Sequence, residues 1–176
     1  MAHEAEFTFN TGMLSNHELL DPKVTSRQPV FAGSVRYYFN DWLGLSLSAG
    51  VQYLSGRDTG TFSTGVPGIS APGLYDFSAQ AFTIAAGFTW VYFGQRNYQV
   101  YGSVEAGVSI FNETDRYPDN TESQATGTKF SGHCSLIGLR YGHTLGCFVE
   151  LGLGYKGLVS TGISYQAGWK KAHRFS

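Results

Sequence analysis

Two sets of residues in this chain have types and spacing that could do chemistry. The first is the pair His133 and Ser135 in Phe130-Ser131-Gly132-His133-Cys134-Ser135. Two residues apart on a strand, they share one face, and such a pair can supply a general base and a nucleophile for an acyl ester if an acid orients the imidazole. Uninterrupted alternation puts both on the outward, apolar side. No acid joins them there, because Glu150 belongs to the other parity. The second set is Glu6, Arg36, Glu105, Arg140, Glu150 and Lys156, which fall among small residues on the opposite face. Three are acidic and three basic, the balance required where charges leave water and must be paired. Tyr38, Tyr101, Gln52 and Gln99 share their parity and can add hydrogen bonds. No metal or cofactor is expected: His3, His17, His133, His143 and His173 are scattered, neither cysteine has a second ligand at metal spacing, and no phosphate-binding glycine pattern occurs. Cys134 is expected on the small-residue face and Cys147 on the apolar one, so both are expected as free thiols.

A sheet must position these residues, and its pattern is plainest from Val30 to Tyr53. Phe31, Val35, Tyr37, Phe39, Leu43, Leu45, Leu47, Val51 and Tyr53 share one face, while the other is mostly Gly, Ser and Ala, with Arg36 and Gln52. The period of two means strand, broken by a turn at Asn40-Asp41. A soluble barrel with an apolar interior, as in a lipocalin-like protein, would give the same parity. The sizes favour the reverse assignment: small residues fill a narrow lumen, and the large face meets lipid.

The same reading gives eight strands. The first is Ala5 to Met13; the hairpin supplies two; Phe77 to Phe93, a strand from Tyr98, Lys129 to Tyr141, Leu145 to Lys156 and about Thr161 to Trp169 complete the set. Tyr155 is assigned outward with Val149, Leu151 and Leu153. Asn40-Asp41, Gln95 to Asn97 and Gly142 to Thr144 are short turns, whereas Ser15 to Gln28, Gly56 to Asp76 and Asn112 to Thr128 are long polar loops. Short turns at one end and long loops at the other are the division found in membrane barrels. Composition agrees. Charged residues are 14% of the 176, against roughly 25% in ordinary soluble domains, and aromatics are 15%. The chain has no apolar run long enough for a transmembrane helix, so only a closed barrel could span a bilayer. A formal net charge of −1 gives no field for nucleic acid, although Lys170, Lys171 and Arg174 form a short basic group. Residues 1–176 read as one domain, and MAHEAEF as the start of a mature, exported chain behind an added Met1.

Tyr37, Phe39, Trp42, Trp90, Tyr92, Tyr98, Tyr141 and Trp169 gather at the short-turn end as an aromatic girdle. With segments such as YYFNDWLGL and GLRYGHTLGCFVELGLGY, the chain resembles the small outer-membrane barrels of the OmpA, OmpX and opacity-type surface-antigen group. That resemblance implies an all-β, eight-stranded antiparallel up-and-down transmembrane β-barrel in a bacterial outer membrane, in contact with the bilayer and lipopolysaccharide. It also implies a C-terminal aromatic read during assembly; here Phe175 precedes Ser176. The His-x-Ser element is similar to that of lipid A deacylases, although Leu136 stands where that family has Asn. The expected function is a surface protein with a polar plugged lumen formed by Glu6, Arg36, Tyr101, Glu105, Arg140 and Glu150. Its three long loops would serve a structural role or bind host or matrix proteins, with Phe62, Val66, Ile69, Leu74, Tyr75 and Tyr117 as apolar contacts. The alternatives are a narrow pore or transporter of small or apolar molecules, and a lipid A deacylase using His133 and Ser135.

Overall fold

The computed structural model describes residues 4–13, 24–63, 70–95, 97–116 and 122–167, with backbone alone at 24–27, 59–63 and 70–73. Trp169, Lys170, Lys171, Arg174, Phe175, His3, His17, His173, Val66, Ile69, Tyr117 and most of the 15–28 segment lie outside the described residues, as does the side chain of Phe62. The strands are β1 (Glu4–Met13), β2 (Val24–Arg27), β3 (Val30–Tyr38), β4 (Leu43–Ser63), β5 (Ser70–Gln95), β6 (Tyr98–Arg116), β7 (Glu122–Gly142), β8 (Leu145–Gly154) and β9 (Val159–Ala167). Every pairing is antiparallel. Eight of the strands close into a ring through β1–β9 and β4–β5, and the short β2 pairs with β4 above β3.

The faces divide by size. Phe9, Leu47, Ile84, Phe88, Val108 and Leu153 stand on the outside, each between 46% and 58% exposed. Inside are Ser46, Ser48, Thr83, Ala85, Ser103 and Ser109, all buried. The interior is therefore polar, the reverse of the lipocalin-like arrangement. At the short-turn end Tyr37, Phe39, Trp42, Tyr92, Tyr98 and Tyr141 are exposed on the outer face. Asn40 makes the first turn by accepting the Trp42 and Leu43 N–H groups at 3.0 and 2.8 Å.

The ring is uneven in height. β4, β5, β6 and β7 are 21, 26, 19 and 21 residues long, whereas β1, β3, β8 and β9 have 10, 9, 10 and 9. The tall strands are neighbours, so one half of the wall continues past the other by roughly 30 Å along the strand direction. This corrects two of the expected loops. Gly56 to Asp76 and Asn112 to Thr128 are mostly the paired arms of hairpins, in unbroken register to Ser63↔Ser70 and Arg116↔Glu122. Their Gly, Ser and Thr content signalled loop, but an unbroken ladder to the partner arm of each hairpin overrode that weak preference.

A second correction concerns β7. Ser135 pairs with Ser103 and Gly152, and Gly138 with Tyr101 and Glu150; thus β7 spends three steps where each neighbour spends two. The extra residue makes a bulge at Leu136, and Leu136 and Ile137 both point outward, 59% and 49% exposed. Everything N-terminal to the bulge changes parity. His133 and Ser135 face the lumen, 3% and 0% exposed, and Cys134 faces outward opposite Val104 and Leu153. Both cysteines are free. A matching bulge occurs in β5 between Val91 and Phe93. Tyr92, the residue it adds, crosses Gly102 of β6 and donates its hydroxyl to the Leu136 carbonyl at 3.2 Å. A Cβ at Gly102 would lie 2.6 Å from that hydroxyl and 2.9 Å from the Trp90 ring. Glycine at this place lets the tyrosine satisfy a carbonyl that the bulge takes out of the ladder.

Candidate functional site

The lumen is built around three buried carboxylates, each accepting a tyrosine hydroxyl and facing a cation. Glu105 accepts from Tyr155 at 2.6 Å and Lys156 at 2.7 Å, and its Oε2 also takes the Ser48 hydroxyl at 3.0 Å. Glu150 accepts from Tyr101 at 2.6 Å and Arg36 at 2.5 Å, with Ser160 at 3.3 Å. Glu6 accepts from Tyr38 at 3.1 Å and faces Arg140 at 3.0 Å and Arg36 at 3.5 Å. All of these side chains are less than 5% exposed. Arg36 also lies 4.6 Å from the centre of the Tyr101 ring.

Alternation places these residues inside, and glycines make the room. Tyr38 lies against Gly44, Tyr101 across Gly138, Arg140 against Gly146, and His133 over Gly152 and Gly154. A large inward side chain on one strand thus meets a bare backbone on the next, which lets a ring of eight strands hold three tyrosines and an arginine pair. Arg140 is further tied down by Ser164 at 2.6 Å and by the Gly142 and His143 carbonyls at 2.6 and 2.9 Å.

The expected cluster of Glu6, Arg36, Tyr101, Glu105, Arg140 and Glu150 is brought together, with Tyr38 and Lys156 as members. Gln52 and Gln99 are not in it: Gln52 donates to the Gln28 carbonyl at 3.4 Å, and Gln99 Oε1 is buried without a protein partner. Tyr155 is the residue that the alternation misplaced. β8 ends at Gly154, whose φ of +140° turns the chain inward, and Tyr155 enters the lumen at 1% exposure. The glycines on both sides of Tyr155-Lys156 were the available signal.

His133 and Ser135 do not form the expected lipid-facing pair. Both sit in the lumen because of the Leu136 bulge, and neither ring nitrogen of His133 nor the Ser135 hydroxyl has a hydrogen-bond partner among the described residues. The nearest ring to His133 is Tyr155, edge-on at 5.7 Å. An acyl chain on the outer face has no access to either.

The tall half of the wall carries a second surface. On its outer face Arg57, Asp76, Arg116 and Glu122 occupy one register row across four strands, alternating in sign. Arg57 meets Asp76 at 2.7 Å and Arg116 meets Glu122 at 2.7 Å, all well exposed. On the inner face Tyr75 donates to Asp58 at 3.1 Å. Local desolvation, that hydrogen bond and the nearby Asp115 and Glu113 raise the Tyr75 phenol to about 12. β8 pairs with β7 only from His133 onward, so Glu122 to Gly132 has β6 on one side and no described strand on the other.

No family profile matches the chain, and no curated protein matches it. Among solved structures it is similar to the crystal structure of Ail, the attachment invasion locus protein of Yersinia pestis, in complex with the heparin analogue sucrose octasulfate. Identity is 14%, coverage 95% of this chain and 96% of that one, and the TM-score 0.46. A second crystal structure of Ail gives 13% identity, 95% coverage of each chain and a TM-score of 0.45.

Proposed function

We propose that this chain is a bacterial outer-membrane surface protein in which the barrel is the anchor, the lumen is closed by its ion-paired core, and the tall four-stranded sheet is the partner-binding platform. The observation that carries the reading is the outer face. Its side chains are large and apolar in a band from the short turns up to the Val51, Phe82 and Ile110 row, and polar above it at Gln80, Asn112 and Thr126. A soluble protein would expose no such band, whereas hydrocarbon requires one. The full pairing of the buried charges supports a closed lumen in preference to a conducting one, because a path for ions would have to break those pairs. Above the band, bilayer and lipopolysaccharide give way to water, and the sheet offers the unpaired edge of β7. Such an edge can take an extended segment of a host or matrix protein as an added strand.

The test displays the protein on a bacterium lacking it, beside a variant in which residues 57–76 and 112–126 are replaced by tight turns. Assembly of both is checked by the heat-dependent shift in gel mobility. Binding to host cells or matrix proteins that disappears with the hairpins supports the platform. Binding that survives trimming, or no binding by an assembled full-length barrel, refutes it.

A further inference from the structure

The connection from β8 to β9, residues 154–158, turns into the barrel at a glycine on each side. Gly154 has φ +140° and Gly157 φ +99°, conformations that favour glycine. Between them Tyr155 and Lys156 reach Glu105 at 2.6 and 2.7 Å, and Lys156 approaches Ser34 at 3.5 Å. The backbone is held by Tyr155 N–H donating to Gly132 O at 3.2 Å, Gly157 N–H to Gly154 O at 3.1 Å and Leu158 N–H to Met13 O at 2.8 Å, while Leu158 O accepts the Gly152 N–H at 3.0 Å.

His133 lies beside this connection with both ring nitrogens buried and without partners. It stands opposite Glu105 of β6 in the ladder and edge-on to Tyr155 at 5.7 Å, within electrostatic reach of Glu150 on β8, Arg36 on β3 and Lys156 in the connection. Lys156 already neutralises Glu105, and Glu150 is committed to Arg36, Tyr101 and Ser160. A neutral imidazole leaves this layer balanced. An imidazolium adds a second cation against one available carboxylate, in a medium where an unmatched charge is costly.

We propose that residues 154–158 form an acid-released strap: protonated His133 takes over Glu105, and Lys156 and Tyr155 swing out of the lumen about Gly154 and Gly157. The exchange keeps Glu105 paired, and the expelled ammonium gains water. His133 then acts as the sensor, with the two glycines as hinges, and the outer end of the lumen opens on its shorter side.

The test is a magnetic-resonance titration of the intact barrel in detergent micelles from about pH 8 to about pH 4, following the His133 ring and the Gly154 and Gly157 amides. The amides should move with the midpoint of the ring. Protection of the Tyr155 and Leu158 amides, corrected for intrinsic exchange, should fall by about tenfold or more across it. In His133→Gln those changes should vanish. A Lys156→Met barrel should already show the acid positions of Gly154 and Gly157 at neutral pH. The strap is overturned if the ring does not titrate in the folded barrel, if it titrates while the amides stay still, if His133→Gln keeps the transition, or if Lys156→Met leaves the glycines at their neutral positions.

Discussion

Replacing Arg36 by Met tests whether the buried charges act as one coupled network. The substitution removes the 2.5 Å bond to Glu150 and the 3.5 Å approach to Glu6 while roughly keeping the length of the side chain. Glu150 would keep Tyr101 and Ser160 as donors, and Glu6 would keep Arg140 and Tyr38. Neither carboxylate is stripped completely, so the loss should fall at the lower end of the ~3–5 kcal/mol found when one partner of a buried pair is removed. Glu150→Gln instead leaves the guanidinium with the 3.5 Å approach of Glu6 as its remaining carboxylate contact among the described residues. Arg36 Nε and Nη1 have no hydrogen bond to fall back on, and the cost should be about 2–3 kcal/mol, the desolvation of a poorly satisfied charged group. The double variant Arg36→Met/Glu150→Gln leaves neither charge of the closest pair behind. It should be less destabilised than the sum of the singles by about 2 kcal/mol, within the usual coupling range for contacting residues. The assay is equilibrium urea unfolding in lipid vesicles, followed by tryptophan fluorescence and gel mobility. Single losses that add to the double would mean that Arg36 and Glu150 do not interact in the folded barrel, and would refute the network.

Further predictions follow from the bulges and the strap. Tyr92→Phe leaves the Leu136 carbonyl without its hydroxyl donor on the outer face, and should cost about 1–3 kcal/mol in vesicle unfolding; no change would mean that this carbonyl is otherwise satisfied. In a Cys134→Ser/Cys147→Ser background, Leu136→Cys and Ile137→Cys should react with a membrane-soluble maleimide while Ser135→Cys does not. Reaction at Ser135→Cys and Ile137→Cys with none at Leu136→Cys would remove the bulge. Tyr155→Phe should cost about 1–2 kcal/mol through the lost bond to Glu105, read in the same unfolding assay, and an unchanged midpoint would place Tyr155 outside the lumen.

Much of the barrel is legible as alternation and side-chain size. Phe82, Ile84, Phe88 and Trp90 against Ala81, Thr83, Ala85 and Thr89 allow only one way to face a strand, and pairing across the ring follows. Glu6, Arg36, Glu105, Arg140 and Glu150 could be gathered in one lumen because a charge of that parity has nowhere else to go. Alternation fails where a strand gains a residue. Counted back from Arg140 without a bulge, Leu136 and Cys134 would fall inside and His133, Ser135 and Ile137 outside, against the size rule obeyed elsewhere. That conflict, together with the adjacent large pairs Leu136-Ile137 and Tyr92-Phe93, was the readable sign of both bulges. Tyr155 was missed for a different reason. Its parity continues Leu153, but Gly154 has already left the strand conformation. The long hairpins were hidden by composition, since Gly, Ser and Thr mark loops in isolation and strands when a neighbouring arm supplies the ladder.

The most direct test of a membrane-anchored barrel with a sheet standing in water is depth-dependent quenching in vesicles. Single fluorescent labels are placed at Leu47, Ile84 and Val108, and at Arg57 and Arg116, in a barrel lacking both cysteines. Labels at the first three should be quenched by lipids carrying a quencher on the acyl chain and shielded from aqueous iodide, and those at the two arginines should behave the opposite way. Aqueous quenching at Leu47, Ile84 and Val108 in a folded, vesicle-bound barrel would contradict the account, because the apolar band would then face water.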